Sequence, residues 1–179
     1  YAGYTSQGSG SVAIGTNAGY QNQGFNAVSI GNSSGYSSQG LQAVAIGQSA
    51  GSSSQGQSAV AIGVNAGIYY QGNYAVAIGP SAANSFQQAF AVSIGSLAGN
   101  TSQGTGSVAI GYNSGYTSQG SGAIAIGGNA GGYNQGVQAI AIGESAGATG
   151  QASKTVAIGY QAGQYNQGQY AVSGPRASC

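Results

Sequence analysis

Charged residues are almost missing from this chain of 179 residues: only Glu144, Lys154 and Arg176 carry a charge, and there is no histidine. The net charge of +1 gives no electrostatic attraction for nucleic acid or for an acidic membrane surface. Because the single acid stands alone, with no base or metal ligand beside it in the sequence, we find no group of residues for catalysis or metal binding. The sequence therefore predicts that the protein is not an enzyme and holds no cofactor.

Cysteine and long apolar segments are also scarce. Cys179 is the single cysteine, so no disulfide can form within the chain, and the redox compartment cannot be inferred from cysteine usage. No apolar run approaches the ~20 residues that a membrane-spanning helix needs. The chain shows no signal peptide and begins at Tyr1, inside a repeat, so we expect a fragment or processed product of a longer repetitive protein.

The chain is instead rich in glycine, with 36 residues, and in a motif that first appears at 11–15 as Ser-Val-Ala-Ile-Gly. The motif returns every sixteen residues without insertion or deletion, and its final glycine is counted below as position fifteen of the repeat. These glycines are Gly15, Gly31, Gly47, Gly63, Gly79, Gly95, Gly111, Gly127, Gly143 and Gly159. A fixed period this short indicates one supersecondary unit stacked on copies of itself.

The motif itself has the pattern of a β-strand. Position twelve is always Val or Ile, position fourteen is Ile in every full copy, and positions eleven and thirteen are nearly always Ala or Ser. Branched residues that alternate with small ones have a period of two, which predicts a strand. A second, more polar segment from position two to position seven, such as 18–23, predicts a weaker second strand.

Position seven of the repeat is glutamine in every copy. These residues are Gln7, Gln23, Gln39, Gln55, Gln71, Gln87, Gln103, Gln119, Gln135, Gln151 and Gln167. When coils stack, equivalent side chains lie above one another, so a repeated charge would be unfavourable, whereas repeated amides form a hydrogen-bonded ladder. We therefore interpret this row as a structural glutamine ladder, and the same argument explains the low charge.

Two turns complete each coil, at segments such as 15–17 and 24–26, where Gly and Asn tolerate the positive φ of tight corners. The sequence thus predicts an all-β fold, a parallel β-solenoid with two short strands per coil and about eleven coils, roughly 50 Å long. Residues 1–172 form one solenoid domain. Residues 173–179 form an irregular C-terminal end, either a cap or the start of a further segment.

The strand at positions eleven to fourteen has one face inside the solenoid, and the sequence alone does not decide which. With Ala and Ser inside, the Val and Ile rows form an outer stripe on the order of 500 Å², too large to leave wet. The alternative places Val and Ile inside and the small residues outside. We favour the first arrangement, in which copies of the same chain bury the stripe.

The motif Ser/Ala-Val-Ala-Ile-Gly-x-x-Ala, which recurs between 11 and 172, resembles the head repeat of YadA-like trimeric autotransporter adhesins. It is also similar to repeats in tail fibres and fibre-like surface proteins of phages and large viruses. The resemblance implies a trimer of left-handed parallel β-rolls with apolar residues packed between chains, although β-crossovers in general favour the right-handed form. The adhesin repeat is a little shorter than sixteen residues, and the longer form here is more typical of viral and environmental fibre proteins.

Applied to this sequence, the resemblance implies that the branched residues at positions twelve and fourteen line the trimer core. These residues are Val12, Ile14, Val28, Ile30, Val44, Ile46, Val60, Ile62, Val76, Ile78, Val92, Ile94, Val108, Ile110, Ile124, Ile126, Ile140, Ile142, Val156 and Ile158. They are the predicted oligomer interface.

Two coils break the pattern without changing its length, around 80–90 and around 148–155. The first brings together an aromatic group, Tyr69, Tyr70, Tyr74, Phe86 and Phe90. Because residues sixteen apart should stack, we expect Tyr70 on Phe86 and Tyr74 on Phe90. We favour a packing cluster at a lateral or inter-chain contact, and a binding patch for sugar or protein is the alternative.

The leading hypothesis is a structural fibre, stalk or adhesin-head segment on a cell or virion surface, outside the cell, that self-associates through its Val and Ile ladders. Its predicted partners are copies of itself and a host surface protein or glycan. One alternative is an ice-binding or ice-nucleation-like solenoid, although threonines are scattered and form no Thr-x-Thr rows. Another is a subunit of an extracellular filament that polymerises end to end through unpaired edges.

Overall fold

The computed structural model describes residues 1–175, and within that range it contains strands and turns but no helix. Residues 176–179 lie outside the described residues, and with them the expectations on Cys179 and on most of the irregular C-terminal end. In the described part of the chain, no segment forms a helix that could span a membrane.

The strands divide into two sheets according to their place in the repeat. Sheet A is formed by β1 (Thr5–Gln7), β3 (Gln21–Gln23), β5 (Ser37–Gln39), β7 (Ser53–Gln55), β9 (Tyr69–Gln71), β11 (Ser85–Gln87), β13 (Thr101–Gln103), β15 (Thr117–Gln119) and β17 (Tyr133–Gln135). Sheet B is formed by β2 (Val12–Ile14), β4 (Val28–Ile30), β6 (Val44–Ile46), β8 (Val60–Ile62), β10 (Val76–Ile78), β12 (Val92–Ile94), β14 (Val108–Ile110), β16 (Ile124–Ile126), β18 (Ile140–Ile142), β19 (Val156–Ile158) and β20 (Val172–Ser173).

Every strand pairs in parallel with the equivalent strand of the next coil, and the paired residues are sixteen apart in sequence. In sheet B, for example, Val76 pairs with Val92 and Ile78 with Ile94. The chain therefore alternates between a nine-stranded and an eleven-stranded sheet as it winds. This confirms the predicted all-β parallel solenoid with two strands in each sixteen-residue coil.

The second strand is shorter than the sequence predicts, because it covers positions five to seven rather than two to seven. Residues 16–19 form a turn in which Gly19 has a φ of +52°. Position six also has a left-handed backbone, as at Asn22 with a φ of +50°. The ladder between β1 and β3 therefore pairs only positions five and seven, Thr5 with Gln21 and Gln7 with Gln23. The left-handed residue breaks the usual alternation, so positions five and six both face solvent while the glutamine points inward.

The interior of the solenoid is built from small side chains. All buried apolar residues in the described part of the chain are alanines, and two clusters of them fill successive coils, represented by Ala61 and Ala77 in one and Ala125 and Ala141 in the other. The largest buried side chains are the glutamines. Val and Ile therefore face outward and the small residues inward, as favoured from the sequence, whereas burial of the stripe by copies of the chain stays a prediction.

The glycine at position fifteen is required by both backbone conformation and space. Gly47 has a φ of +123°, and a Cβ placed there would lie 2.7 Å from the carbonyl oxygen of Gly63 in the next coil. A larger residue would therefore be strained and would also push the coils apart. This close approach fixes the strict spacing of the repeat.

The two irregular coils keep the sixteen-residue spacing but differ locally. Around 148–155, sheet A is reduced to single bridges that Thr149 makes with Tyr133 and Tyr165. Around 80–90 the strand persists, but Gln88 replaces the glycine of position eight, and its backbone N–H donates to the Gln103 carbonyl at 3.0 Å. The equivalent bond from Gly72 to Gln87 is 2.7 Å long, so the added side chain slightly separates the coils.

Candidate functional site

The outward side chains at positions twelve and fourteen of sheet B form one continuous surface, which we call the aliphatic face. Parallel pairing places Val on Val and Ile on Ile from coil to coil, as in β10 and β12. Ile14 in the first coil is 58% exposed, whereas residues of central coils such as Val76 and Ile78 are half-buried by the coils on both sides. The surface is apolar and uncharged, so the interaction it favours is hydrophobic burial against another apolar surface.

The glutamines of position seven point into the interior, where their amides connect the two sheets. From Gln23 to Gln167, each Nε2 donates to the backbone carbonyl of the residue eleven positions earlier in sheet B, at 2.7–2.9 Å. In most coils the same Nε2 also approaches the carbonyl four residues ahead, as Gln87 does with Ala91 at 3.1 Å. The sequence analysis did not predict these cross-sheet bonds. A glutamine that is present in every repeat and lies close to an apolar strand is the feature that could have indicated them.

Amide-to-amide bonds also run along this row from coil to coil. From Gln55 to Gln151, each Nε2 donates to the Oε1 of the next glutamine at 3.0–3.2 Å, and the last acceptor is Gln167. Earlier in the chain, Ser29 donates to the Oε1 of Gln39 at 2.7 Å, and the Oε1 of Gln55 has no partner. No catalytic acid or base accompanies these buried amides within residues 1–175, and their contacts join strand to strand.

The predicted aromatic group is only partly brought together. Tyr74 and Phe90 stack as expected, with ring centroids 5.3 Å apart and planes 9° from parallel. No ring contact between Tyr70 and Phe86 is found among the described residues, so that prediction is wrong. Both residues stand at the left-handed position six and are 50% and 56% exposed.

A second aromatic row is more regular. Tyr4, Tyr20 and Tyr36 stack with centroids 5.0 Å apart and planes within 9° of parallel. Ring stacking at the coil spacing indicates that this row packs one coil on the next.

Tyr70 belongs instead to an open groove of about 330 Å³ on the side of sheet A. Ser38, Ser54, Asn73 and Gln88 contribute polar side chains to its lining, while Tyr69, Tyr74, Phe86 and Phe90 do not line it. Sequence reasoning identified Tyr70 and the irregular coil around 80–90 that contains Gln88, but not Asn73. The available signal was Gln88 itself, which occupies a glycine position of the repeat.

The family comparison agrees with this architecture. The family model described as YadA head domain repeat matches the chain in two copies, over residues 5–18, 38–66, 91–114 and 135–162, which together are more than half of the chain. No curated protein and no solved structure was found to match it. The family is a structural, adhesin type of repeat rather than an enzyme family. The chain belongs to the YadA head domain repeat family.

Proposed function

We propose that this chain is the head segment of an adhesin-type fibre displayed on a cell or virion surface, and that it forms a homotrimer through the aliphatic face. Family membership supports the adhesin-head type. The observation that carries the self-association is the pair of unbroken Val and Ile rows directed away from the core. The row at position twelve follows all eleven strands of sheet B, and the row at position fourteen follows its first ten.

The size of the aliphatic face supports burial against other chains. At ~4.8 Å per coil, the rows extend for about 50 Å and present an apolar stripe on the order of 500 Å². Soluble monomers seldom leave such a patch in contact with water. In a cyclic trimer each chain covers the faces of the other two, and the assembly is closed. Because these positions carry no charge, the contact is hydrophobic and its strength should not fall with added salt.

The chain has no internal place for these side chains. A shift of one residue in β10 would exchange Ala77 for Val76 and Ile78 on the inner face. The interior is filled by fully buried alanines, serines and glutamine amides, and Thr155 is the one branched side chain buried among the described residues. The interior therefore has little volume for continuous rows of Val and Ile. Association between chains is therefore the available route to burial.

Cysteine cross-linking tests the proposed contact directly. In a Cys179→Ser background, Ile78→Cys places one thiol on the aliphatic face, and a threefold axis brings the thiols of three chains near one another. We expect a short bismaleimide to convert this variant to covalent dimers and trimers on a denaturing gel.

The matched control is Ser102→Cys, at an exposed position of sheet A on the opposite side of the coil. It should remain a single chain after the same treatment. Equal cross-linking at both positions, or none at Ile78→Cys while the protein is folded by circular dichroism, would count against the proposed interface.

A further inference from the structure

The groove beside Tyr70 has the dimensions and composition of a small ligand site. It spans the coils of β5, β7, β9 and β11 and has a volume of about 330 Å³, which lies in the range of ligand pockets. All its lining residues come from one chain. It opens on the sheet A side, away from the aliphatic face, so burial of that face in an assembly would leave it accessible.

The groove exists because two positions of the repeat change their side chains within a few coils. Position six carries the small residues Ser38 and Ser54 and then the ring of Tyr70. Position eight carries Gly56 and Gly72 and then Gln88. A flat polar surface in the earlier coils is thus bounded by an aromatic ring and an amide in the later ones.

Both boundary residues stand where the fold does not favour them. Tyr70 has a φ of +52°, a left-handed conformation that is unusual for a bulky side chain. Gln88 replaces a glycine whose site leaves little room for a Cβ, and its backbone hydrogen bond is longer than that of Gly72. Left-handed φ is shared by position six along the repeat, Phe86 included, so the large side chains of Tyr70 and Gln88 are what distinguish this part of the surface.

The polar groups in the groove are neutral and exposed. Asn73 accepts a hydrogen bond at its Oδ1 from the backbone N–H of Gln57 at 2.9 Å, which fixes the side chain and leaves its NH₂ group as a donor. The Gln88 amide and the Ser38 and Ser54 hydroxyls are exposed and can both donate and accept. The lining contains no charged residue, so an anionic or cationic ligand would meet no opposite charge.

We infer that this groove binds a neutral glycan. Two or three of its pyranose rings would lie across successive coils, and one of them would pack against Tyr70. A pyranose has an apolar C–H face and a rim of hydroxyls, which match a half-exposed ring flanked by amides and hydroxyls. Tyr, Ser and Asn are also the side chains on which adaptable neutral recognition surfaces are commonly built. One sugar unit is about as long as the ~4.8 Å spacing of the coils.

The same observations argue against a peptide in this groove. A peptide that adds as a strand needs an unpaired sheet edge, but β7 and β9 are each paired on both sides. A peptide held by apolar anchors needs a hydrophobic pocket, and this lining is largely Ser, Gln, Asn and Gly. The inference goes beyond the proposed function and does not depend on trimer formation, because one chain forms the whole groove.

Titration of the ¹⁵N-labelled chain with cellotriose, maltotriose, mannotriose and triacetylchitotriose tests the inference, with 3′-sialyllactose as the charged comparison. We expect saturable shifts of the Asn73 and Gln88 side-chain amide signals with at least one neutral trisaccharide. Tyr70→Ser should weaken that binding about tenfold or more, a loss typical of a central aromatic contact. Serine already occupies this position in neighbouring coils, so this variant should fold.

The matched control is Tyr133→Ser, which removes an equally exposed tyrosine outside the groove and should leave the affinity unchanged. Gln88→Gly, which restores the repeat, should also weaken binding. The inference is overturned if no neutral trisaccharide binds or if only sialyllactose binds. It is also overturned if Tyr70→Ser binds the sugar as well as the parent chain does, or if a protein ligand binds at Tyr70 and no sugar does. Sedimentation of the same samples separates this result from the proposed assembly, since a monomer that binds sugar contradicts only the trimer.

Discussion

The side-chain amide of Gln87 donates a 2.9 Å hydrogen bond to the backbone carbonyl of Val76 on the opposite side of the solenoid interior. The same amide donates to the Oε1 of Gln103 in the next coil at 3.0 Å. Gln87 is fully buried. One side chain therefore joins sheet A to sheet B and one coil to the next, in an interior that alanine alone fills loosely.

Replacement of this buried amide should destabilise the fold. Gln87→Leu keeps much of the side-chain volume but leaves the Val76 carbonyl without its side-chain donor, and a buried unsatisfied group costs about 1–3 kcal/mol. We expect a loss of that size in the free energy of unfolding, with faster amide hydrogen exchange in the flanking coils. Gln21→Leu, at an exposed position of β3, should change stability by less than about 0.5 kcal/mol. Equal effects of the two variants would contradict the structural role of the row.

Alanine should be tolerated less well at Gly56 than at Gly168, because only at Gly56 would the added Cβ meet the backbone of the next coil. A Cβ at Gly56 would lie 2.6 Å from the backbone nitrogen of Asn73, whereas a Cβ at Gly168, the same repeat position, meets nothing within 4 Å. We expect Gly56→Ala to lower the free energy of unfolding by about 1–3 kcal/mol through overpacking. Gly168→Ala should leave it unchanged or raise it by less than about 1 kcal/mol. Chemical denaturation of both variants measures this difference, and its absence would show that the coils are not so closely stacked.

The interior should reject even one added branch. Ala77 is fully buried between Ala61 and Ser93 of the same row, so Ala77→Val should cost about 1–3 kcal/mol in the free energy of unfolding. Ser93→Ala is the comparison, because Ala77 and Ala109 occupy the adjacent places in sheet B. It removes the Ser93 hydrogen bond to Gln103 and should cost only about 1 kcal/mol. Thermal unfolding that is the same for Ala77→Val and the parent chain would argue for a wider interior.

Most of the architecture could be predicted from the sequence because the repeat leaves little freedom. The branched residues at positions twelve and fourteen specify a strand, and the glycine at position fifteen specifies a corner. Their recurrence without any change in spacing specifies that the coils stack. The choice of inner face did not follow from the sequence alone. The structure places the small side chains inside, where Ser29, Ser93, Ser107 and Thr155 share positions eleven and thirteen with alanine. The glutamines of position seven were expected to bond along the stack, which is one of the two directions in which an amide such as that of Gln71 bonds.

The second strand could not be predicted as well, because its conformation depends on single left-handed residues. Asn22 and Ser38 at position six are compatible with positive φ, but Tyr70 and Phe86 at the same position conceal that signal. Once position six is left-handed, the strand shortens and its side chains no longer alternate. The groove was missed for the same reason, since it depends on which way Tyr70 and Gln88 extend from an irregular ladder.

A charge on the aliphatic face should prevent association of the chains. Ile78→Asp places a carboxylate at the proposed contact, where burying an unpaired charge is strongly unfavourable. We expect this variant to sediment as a monomer at concentrations where the parent chain is an oligomer. Ser102→Asp adds the same charge at an exposed position of sheet A and should not change the oligomeric state. Dissociation of both variants, or of neither, would contradict the assignment of this face to the contact.

The mass of the parent chain in solution tests the central claim most directly. Sedimentation equilibrium at low and at high salt should give three times the mass of one chain under both conditions, because the contact is apolar and uncharged. A monodisperse monomer, with its Val and Ile rows exposed to water and stable at either salt concentration, would contradict the account.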